Sequence, residues 1–213
     1  MDVKVFFFNP LRECCYVVWD ENGNCVIIDP GCYGGNEFKR LPAFVEENGL
    51  KVAGILLTHG HFDHIFGLED AHRQWDVPVY IHPEDIFQVE DSARFAATLG
   101  LDFTPYKGGF REISDGEMIS FGSISLKTIW TPGHTAGSVC YWSGRDNVLF
   151  SGDTLFQGSV GRTDHPRGDY DSLLDSLNRK IAVLPPETDV FCGHGYPTTI
   201  GTELASNPFL NRH

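Results

Sequence analysis

Residues 58–64 read Thr58-His59-Gly60-His61-Phe62-Asp63-His64. Three imidazoles and one carboxylate fall between His59 and His64, and these groups are the ligand types of borderline divalent metals. An ordinary core or surface has no use for such a cluster. The run follows Val52-Ala53-Gly54-Ile55-Leu56-Leu57, an apolar stretch that predicts a buried strand with the ligands at its mouth. In an extended segment His59, His61 and Asp63 share one side and His64 points elsewhere. One ion would not use all four, so H-x-H-x-D-H points to two neighbouring metals.

Three more apolar β runs end on a ligand-type residue in a glycine-rich turn. Thr131-Pro132-Gly133-His134-Thr135 follows a run ending at Trp130, Ser151-Gly152-Asp153-Thr154 one ending at Phe150, and Gly193-His194-Gly195 one ending at Cys192. Each alone is an ordinary turn. Their recurrence on loops able to share one edge points to a common site. Asp29, in Ile27-Ile28-Asp29-Pro30-Gly31, is a fifth strand-end carboxylate. It either shapes its turn or orients a ligand imidazole, as metal sites require.

Around these points the chain alternates strands and helices. Val3 to Phe8, Cys14 to Trp19 and Asn24 to Ile28 read as strands, the last two joined by the turn Asp20-Glu21-Asn22-Gly23. Helices are expected over Glu37 to Asn48, with Pro42 pushing its start later, over Ile65 to Trp75, and around Asp91 to Leu99. Strands are expected at Val77 to Ile81, Ile119 to Phe121, Ser123 to Trp130, Ser138 to Trp142, Asn147 to Phe150 and Val190 to Cys192. Tyr170 to Leu184 carries Leu173, Leu174, Leu177 and Ile181 on one helical stripe. This order favours two mixed sheets with helices outside, a layered α/β arrangement. No Pro/Gly/Ser-rich linker interrupts it, and the expectation is one domain over 1–213.

The 213 residues are 41 % hydrophobic and 21 % charged, ordinary for a globular chain. A net charge of −13 argues against nucleic acid, whose phosphates require Lys and Arg. The acidic second residue and the short apolar run of the N-terminus do not make a signal peptide, and no stretch reaches membrane-spanning length. A cytoplasmic location and no membrane partner are therefore expected. The six cysteines contain no C-x-x-C pair and are read as reduced core residues. His72 and His82 are read as structural or exposed, and His213 is terminal.

The set T-H-G-H-F-D-H (58–64), T-P-G-H-T-A-G-S (131–138), S-G-D-T-L-F (151–156) and G-H-G (193–195), after I-I-D-P-G (27–31), resembles the metallo-β-lactamase-fold hydrolases. G-S-V-G-R-T-D (158–164) and the tail G-H-G-Y-P-T-T-I-G-T-E with N-P-F-L (207–210) resemble the short bacterial glyoxalase II (hydroxyacylglutathione hydrolase) branch. The resemblance implies a four-layer αββα sandwich with the metal site at one edge of its two mixed β-sheets. It implies that His59, His61 and His134 hold one ion, that Asp63, His64 and His194 hold a second, and that Asp153 bridges them. Two divalent ions are expected, zinc ahead of iron or manganese. The implied reaction is thioester hydrolysis by a metal-bridging hydroxide, with Asp63 orienting it or accepting its proton, and S-2-hydroxyacylglutathione as the substrate type.

Two departures bear on the substrate. Only 19 residues follow His194, too few for the separate C-terminal helical domain with which longer relatives grip glutathione. The basic and Tyr residues that bind its glycine carboxylate have no clear counterparts. Arg162 is the best anion anchor, if it is not held in an ion pair with Asp164; Tyr196 and His165 are further substrate-side candidates. A small-molecule thioester is the expected partner, and the chain is expected to be a monomer or small homo-oligomer. Competing readings are a mononuclear-iron persulfide dioxygenase using His59, His134 and Asp153, a lactone hydrolase, and a non-catalytic metal-stabilised binding protein. A true β-lactamase is set aside because dinuclear members carry Cys where Asp153 stands and are exported.

Overall fold

The structure is a computed structural model, and it describes residues 1–210; His213 lies outside them. The first half runs β1 (Asp2–Phe8), β2 (Glu13–Trp19), β3 (Asn24–Ile28), α1 (Gly35–Phe38), α2 (Arg40–Glu47), β4 (Lys51–Leu56), α3 (Phe62–Ile65), α4 (Leu68–Trp75), β5 (Val79–Ile81), α5 (Ile86–Thr98) and β6 (Phe110–Glu112). The second half runs β7 (Met118–Phe121), β8 (Ile124–Trp130), β9 (Val139–Ser143), β10 (Val148–Gly152), β11 (Leu155–Phe156), β12 (Ser159–Val160), α6 (Tyr170–Ser176), β13 (Asp189–Cys192), β14 (Thr198–Thr199) and α7 (Ile200–Ser206).

One sheet has the order β1-β2-β3-β4-β5-β6 and the other β14-β13-β10-β9-β8-β7. Both are mixed: β3 to β6 pair in parallel, as do β10 and β13, while the remaining pairs in the two sheets are antiparallel. Strand alternation explains the layering. In β2, Tyr16 and Val18 face the core between the sheets, with Phe121, Leu126, Tyr141 and Phe150 of the second sheet. Cys15 and Val17, one residue out of phase, face Leu41, Leu68 and Ala71 on the helical side. Leu173, Leu177 and Ile181 cover the outer face of the second sheet. The result is the expected αββα sandwich.

Several elements differ from the sequence expectation. The helix over 37–48 is two pieces, broken at Lys39. The helix expected from Ile65 starts at Phe62 and breaks at Phe66 and Gly67. There the backbone passes so close to Cys32 Sγ that a Cβ on Gly67 would collide with it. Tyr170 to Leu184 begins as α6 and widens into a π-helical turn at Leu177–Ile181, which redirects the end of the apolar stripe. Helix α5 begins at Ile86, well before Asp91. The short elements β6, β11, β12, β14 and α7 carry too little periodicity to be legible. All six cysteines are free and buried. No helix among the described residues is long and apolar enough to cross a membrane.

Candidate metal centre

The ligand run is not extended throughout. His61 has an extended backbone and precedes α3, so Phe62, Asp63 and His64 already lie on a helical turn. The strand-parity argument therefore does not apply to Asp63. Its side chain is separated from that of His61 by a change of backbone, which lets the two serve different neighbours.

Three three-residue groups result, one of them Asp29 with His59 and His64 behind the other two. Ligand atoms of His59, His61 and His134 lie within 4.8 Å of one another, and so do those of Asp63, His64 and His194. Asp153 stands between the groups. Its Oδ1 is 3.4 Å from His64 Nε2, and its Oδ2 is 3.5 Å from His134 Nε2 and 3.7 Å from His194 Nε2. Asp63 Oδ2 is 3.2 Å from His194 Nε2, and His134 Nε2 is 2.9 Å from His61 Nδ1. Ligand atoms about 2.1 Å from a tetrahedral ion lie roughly 3.4 Å apart, which is the scale of these separations.

The outer nitrogens settle which ring atoms face inward. His64 Nδ1 donates to Asp29 Oδ2 at 3.0 Å. His134 Nδ1 donates to the Arg162 carbonyl at 2.7 Å, and His194 Nδ1 to that of Leu11 at 3.2 Å. Thr58 Oγ1 donates its one proton to Asp29 Oδ2, so the 3.0 Å contact with His59 is made by His59 Nδ1 donating to the hydroxyl. In all four rings Nε2 turns its lone pair toward the cluster. His59 Nε2, His64 Nε2 and Asp153 Oδ1 are buried without a hydrogen-bond partner. Orphaned buried acceptors pointing at one another are costly unless a cation lies among them. The residues present thus fit divalent metal ions.

Electrostatics agrees. Burial, reinforced by neighbouring imidazoles, pushes His59 and His61 well below the ordinary histidine range, leaving them neutral as metal ligands must be. Burial acts in the same direction on His64, but Asp153 and Asp63 outweigh it and draw it well above that range. Burial also opposes ionisation of Asp153 and Asp63, yet facing imidazoles hold both carboxyls low. The two carboxylates therefore demand positive charge at this point.

A surrounding layer holds these groups. Asp29 has φ 50° and accepts from the Thr58 amide at 2.7 Å as well as from Thr58 Oγ1 and His64. A Cβ on Gly193 would collide with Asp153 Oδ1, so only glycine lets the β13 end approach the carboxylate. Two residues escaped sequence reasoning. Buried Asp85 accepts from Gly60 N at 2.8 Å, Thr135 Oγ1 at 2.8 Å and Gly137 N at 2.7 Å, tying the 58–64 loop to the 131–138 loop. Its signal in the sequence is Pro83-Glu84-Asp85, a helix start upstream of the helix expected around Asp91. Glu13 lies fully buried behind the cluster with both carboxyl oxygens unpaired, and burial pushes its carboxyl well above the usual range, which keeps it neutral.

The cluster forms the floor of a cavity of about 780 Å³ that Arg162 and His165 also line. The Arg162 guanidinium makes two 2.6 Å bonds to Asp164, the ion pair weighed against an anion-binding role. The His165 ring meets that of His61 edge to face, with centroids 4.6 Å apart. Tyr196 is 74 % exposed and is not among the residues lining this cavity. His82 stacks on Trp130 and His72 packs edge to face on Tyr106, both in structural positions.

Known proteins match this arrangement. Hydroxyacylglutathione hydrolase GloC of Haemophilus influenzae is 35 % identical over 216 residues, covering 99 % of each chain. A crystal structure of the BLEG-1 B3 metallo-beta-lactamase is 36 % identical with a TM-score of 0.90, covering 98 % of this chain and 99 % of that one. A di-iron-bound form of TTHA1623 is 38 % identical with a TM-score of 0.87, covering 97 % and 100 %. Likeness to a protein described as a β-lactamase removes the ground for setting that activity aside, and the di-iron neighbour leaves no metal preferred. The model of the metallo-beta-lactamase superfamily matches residues 10–194; with the sandwich fold and the His/Asp cluster at its edge, this chain belongs to that superfamily of metallo-hydrolases.

Proposed function

We propose that this chain is a dinuclear metal-dependent thioesterase, with S-2-hydroxyacylglutathione as its reference substrate. The carrying observation is the position of Asp153, whose two oxygens face His64 on one side and His134 on the other. In this reading His59, His61 and His134 hold the first ion, Asp63, His64 and His194 hold the second, and Asp153 bridges them.

Bound divalent ions supply a water of lowered pKa and a Lewis acid for a carbonyl oxygen. The chain's own groups do the rest. Asp29, Thr58 and the Arg162 carbonyl hold the imidazoles in one tautomer, so no reorganisation is needed during turnover. Asp63, at the cavity floor, orients the attacking water or accepts its proton as the carbonyl is attacked. A departing thiolate needs little acid assistance, which suits a floor in which no lysine, tyrosine or cysteine stands among the lining residues. The activity named for the GloC relative supports a thioester over other acyl compounds.

The test is metal content measured beside lactoylglutathione hydrolysis. Two ions per chain with steady turnover are expected. One iron per chain, with oxygen uptake on glutathione persulfide, overturns the reading. Turnover of a chromogenic cephalosporin or a lactone without thioester turnover overturns it too, the first in favour of the activity described for BLEG-1.

A further inference from the structure

The cavity above the metal cluster has walls of a different character from its floor. Phe87, Asp91 and Phe95 lie four residues apart on one face of α5, with Leu99 just past its end, and all four line the cavity. A neighbouring face of α5, Val89, Ser92 and Ala96, is buried. This helix is therefore apolar on two sides, and only one of them serves the core. Phe95 and Leu99 are 46 % and 56 % exposed, and the Phe95 ring lies 5.7 Å from that of Phe62. Phe156 and Val160 of the β11–β12 hairpin and Leu11, itself 51 % exposed, line the same cavity. Exposed apolar side chains lining a cavity of this size mark a ligand surface.

The charges point the same way. Among the described residues lining the cavity, Arg162 is the sole Lys or Arg, and its Nε and one Nη donate to Asp164. Arg167, nearby, lies on the Phe87 ring 4.0 Å from its centroid and pairs with Glu84. Asp91, on the α5 wall, pairs with Arg94 at 3.1 Å. A thiol bearing two carboxylates meets a single arginine here, already paired with a carboxylate, whereas a hydrocarbon group meets the apolar side chains of α5.

We propose that the preferred substrate is a thioester without carboxylates, one of whose substituents, an alkyl or aryl group, packs along the Phe87–Phe95–Leu99 stripe of α5. This rests on the thioesterase reading and narrows it: glutathione is then an accepted thiol but not the one the cavity selects. The substituent can sit on the acyl side or the thiol side of the scissile bond, and the two are separated by experiment.

The metal-loaded enzyme is assayed on acetyl, butanoyl and hexanoyl thioesters of N-acetylcysteamine, and on lactoyl thioesters of ethanethiol, benzyl mercaptan and glutathione. Each methylene that reaches the wall raises kcat/KM by up to about fourfold, chiefly through KM. The series that rises identifies which side packs on α5. In Phe95→Ser and Leu99→Ser, both at exposed positions, the hexanoyl-to-acetyl or benzyl-to-ethyl ratio falls at least threefold. If both series are flat, or glutathione is the best thiol, this inference is overturned while the thioesterase reading stands. If no thioester is cleaved, the thioesterase reading fails. The cavity is then tested by calorimetric titration with S-methyl- and S-hexyl-N-acetylcysteamine and S-hexylglutathione. Tighter binding of the uncharged hexyl compound, weakened in Phe95→Ser, supports the apolar wall; equal binding of all three overturns it.

Discussion

Asp29 Oδ2 receives the Nδ1 proton of His64 at 3.0 Å across 35 positions of sequence. The same carboxylate holds Thr58, whose hydroxyl receives the Nδ1 proton of His59. One side chain thereby orients a member of each proposed ligand triad. Replacing Asp29 by Asn is expected to weaken metal binding about 10- to 100-fold, read as the chelator concentration that strips half the metal. An unchanged chelator midpoint would show that the imidazoles need no such support.

Asp153 faces both triads, so its loss should affect both. Asp153→Ala is expected to lower bound metal below one ion per chain and to reduce thioester hydrolysis at least a thousandfold. Elemental analysis after gel filtration reads the first and steady-state kinetics the second. Two ions retained in an active variant would remove the bridging role.

Metal removal should soften the fold, because the cluster then keeps orphaned His59 Nε2 and Asp153 Oδ1 and repelling carboxylates. Chelator-treated protein is expected to melt at lower temperature. Returning metal at 100 times its dissociation constant should restore about 2.7 kcal/mol for each site filled. Scanning calorimetry with and without added metal gives the difference.

Asp85 accepts three hydrogen bonds while buried, from residues on two loops. In Asp85→Ala the amides of Gly60 and Gly137 lose their acceptor, at about 1–3 kcal/mol each. A loss of about 3 kcal/mol is expected, roughly 6–12 °C in Tm for a chain of this size. Loss of metal affinity should accompany it, since both loops carry proposed ligands.

Asp20 predicts a pH dependence at the far end of the sheets. It accepts from the backbone amides of Ser123, Asn22 and Asn24, which hold its carboxyl well below the ordinary range. A carboxyl lowered by folding contributes stability that is fully present above its unfolded value, about 3.9, and is lost as pH falls through the lower folded value. Urea midpoints of the chelator-treated protein should therefore drop below pH 4, and Asp20→Asn should flatten that limb. Parallel acid limbs in the two proteins would assign the effect to other carboxylates.

The ligand residues were legible because each ends an apolar run, and a strand that must stop at a sheet edge leaves its next residue in a loop. The strands of the sandwich were legible for a related reason: Cys14 to Trp19 is apolar at every position because it has a core on both faces. Helix α5 was not fully legible, since Ile86 to Thr98 is apolar on its cavity side as well as its core side and so lacks a clean period. The hairpin of Leu155–Phe156 and Ser159–Val160 is too short to carry any.

By itself, the sequence determined which side chains are available to bind metal, since imidazole and carboxylate chemistry belongs to the residue and not to the fold. It also determined the strand-and-helix order from which the layers follow. Only the tertiary structure decided how those ligands divide, because the turn into α3 at Phe62 sends Asp63 and His64 away from His61. Only packing brought Asp85 to Gly137, 52 residues away, and set Phe87 and Phe95 of α5 and Phe156 around one cavity. Only geometry gave the Arg162 guanidinium to Asp164. The contacts of Asp85 and of α5 depend on distance between residues remote in the chain, which no local pattern of residues encodes, whereas Arg162 and Asp164 are two positions apart and the sequence had already left their pairing open.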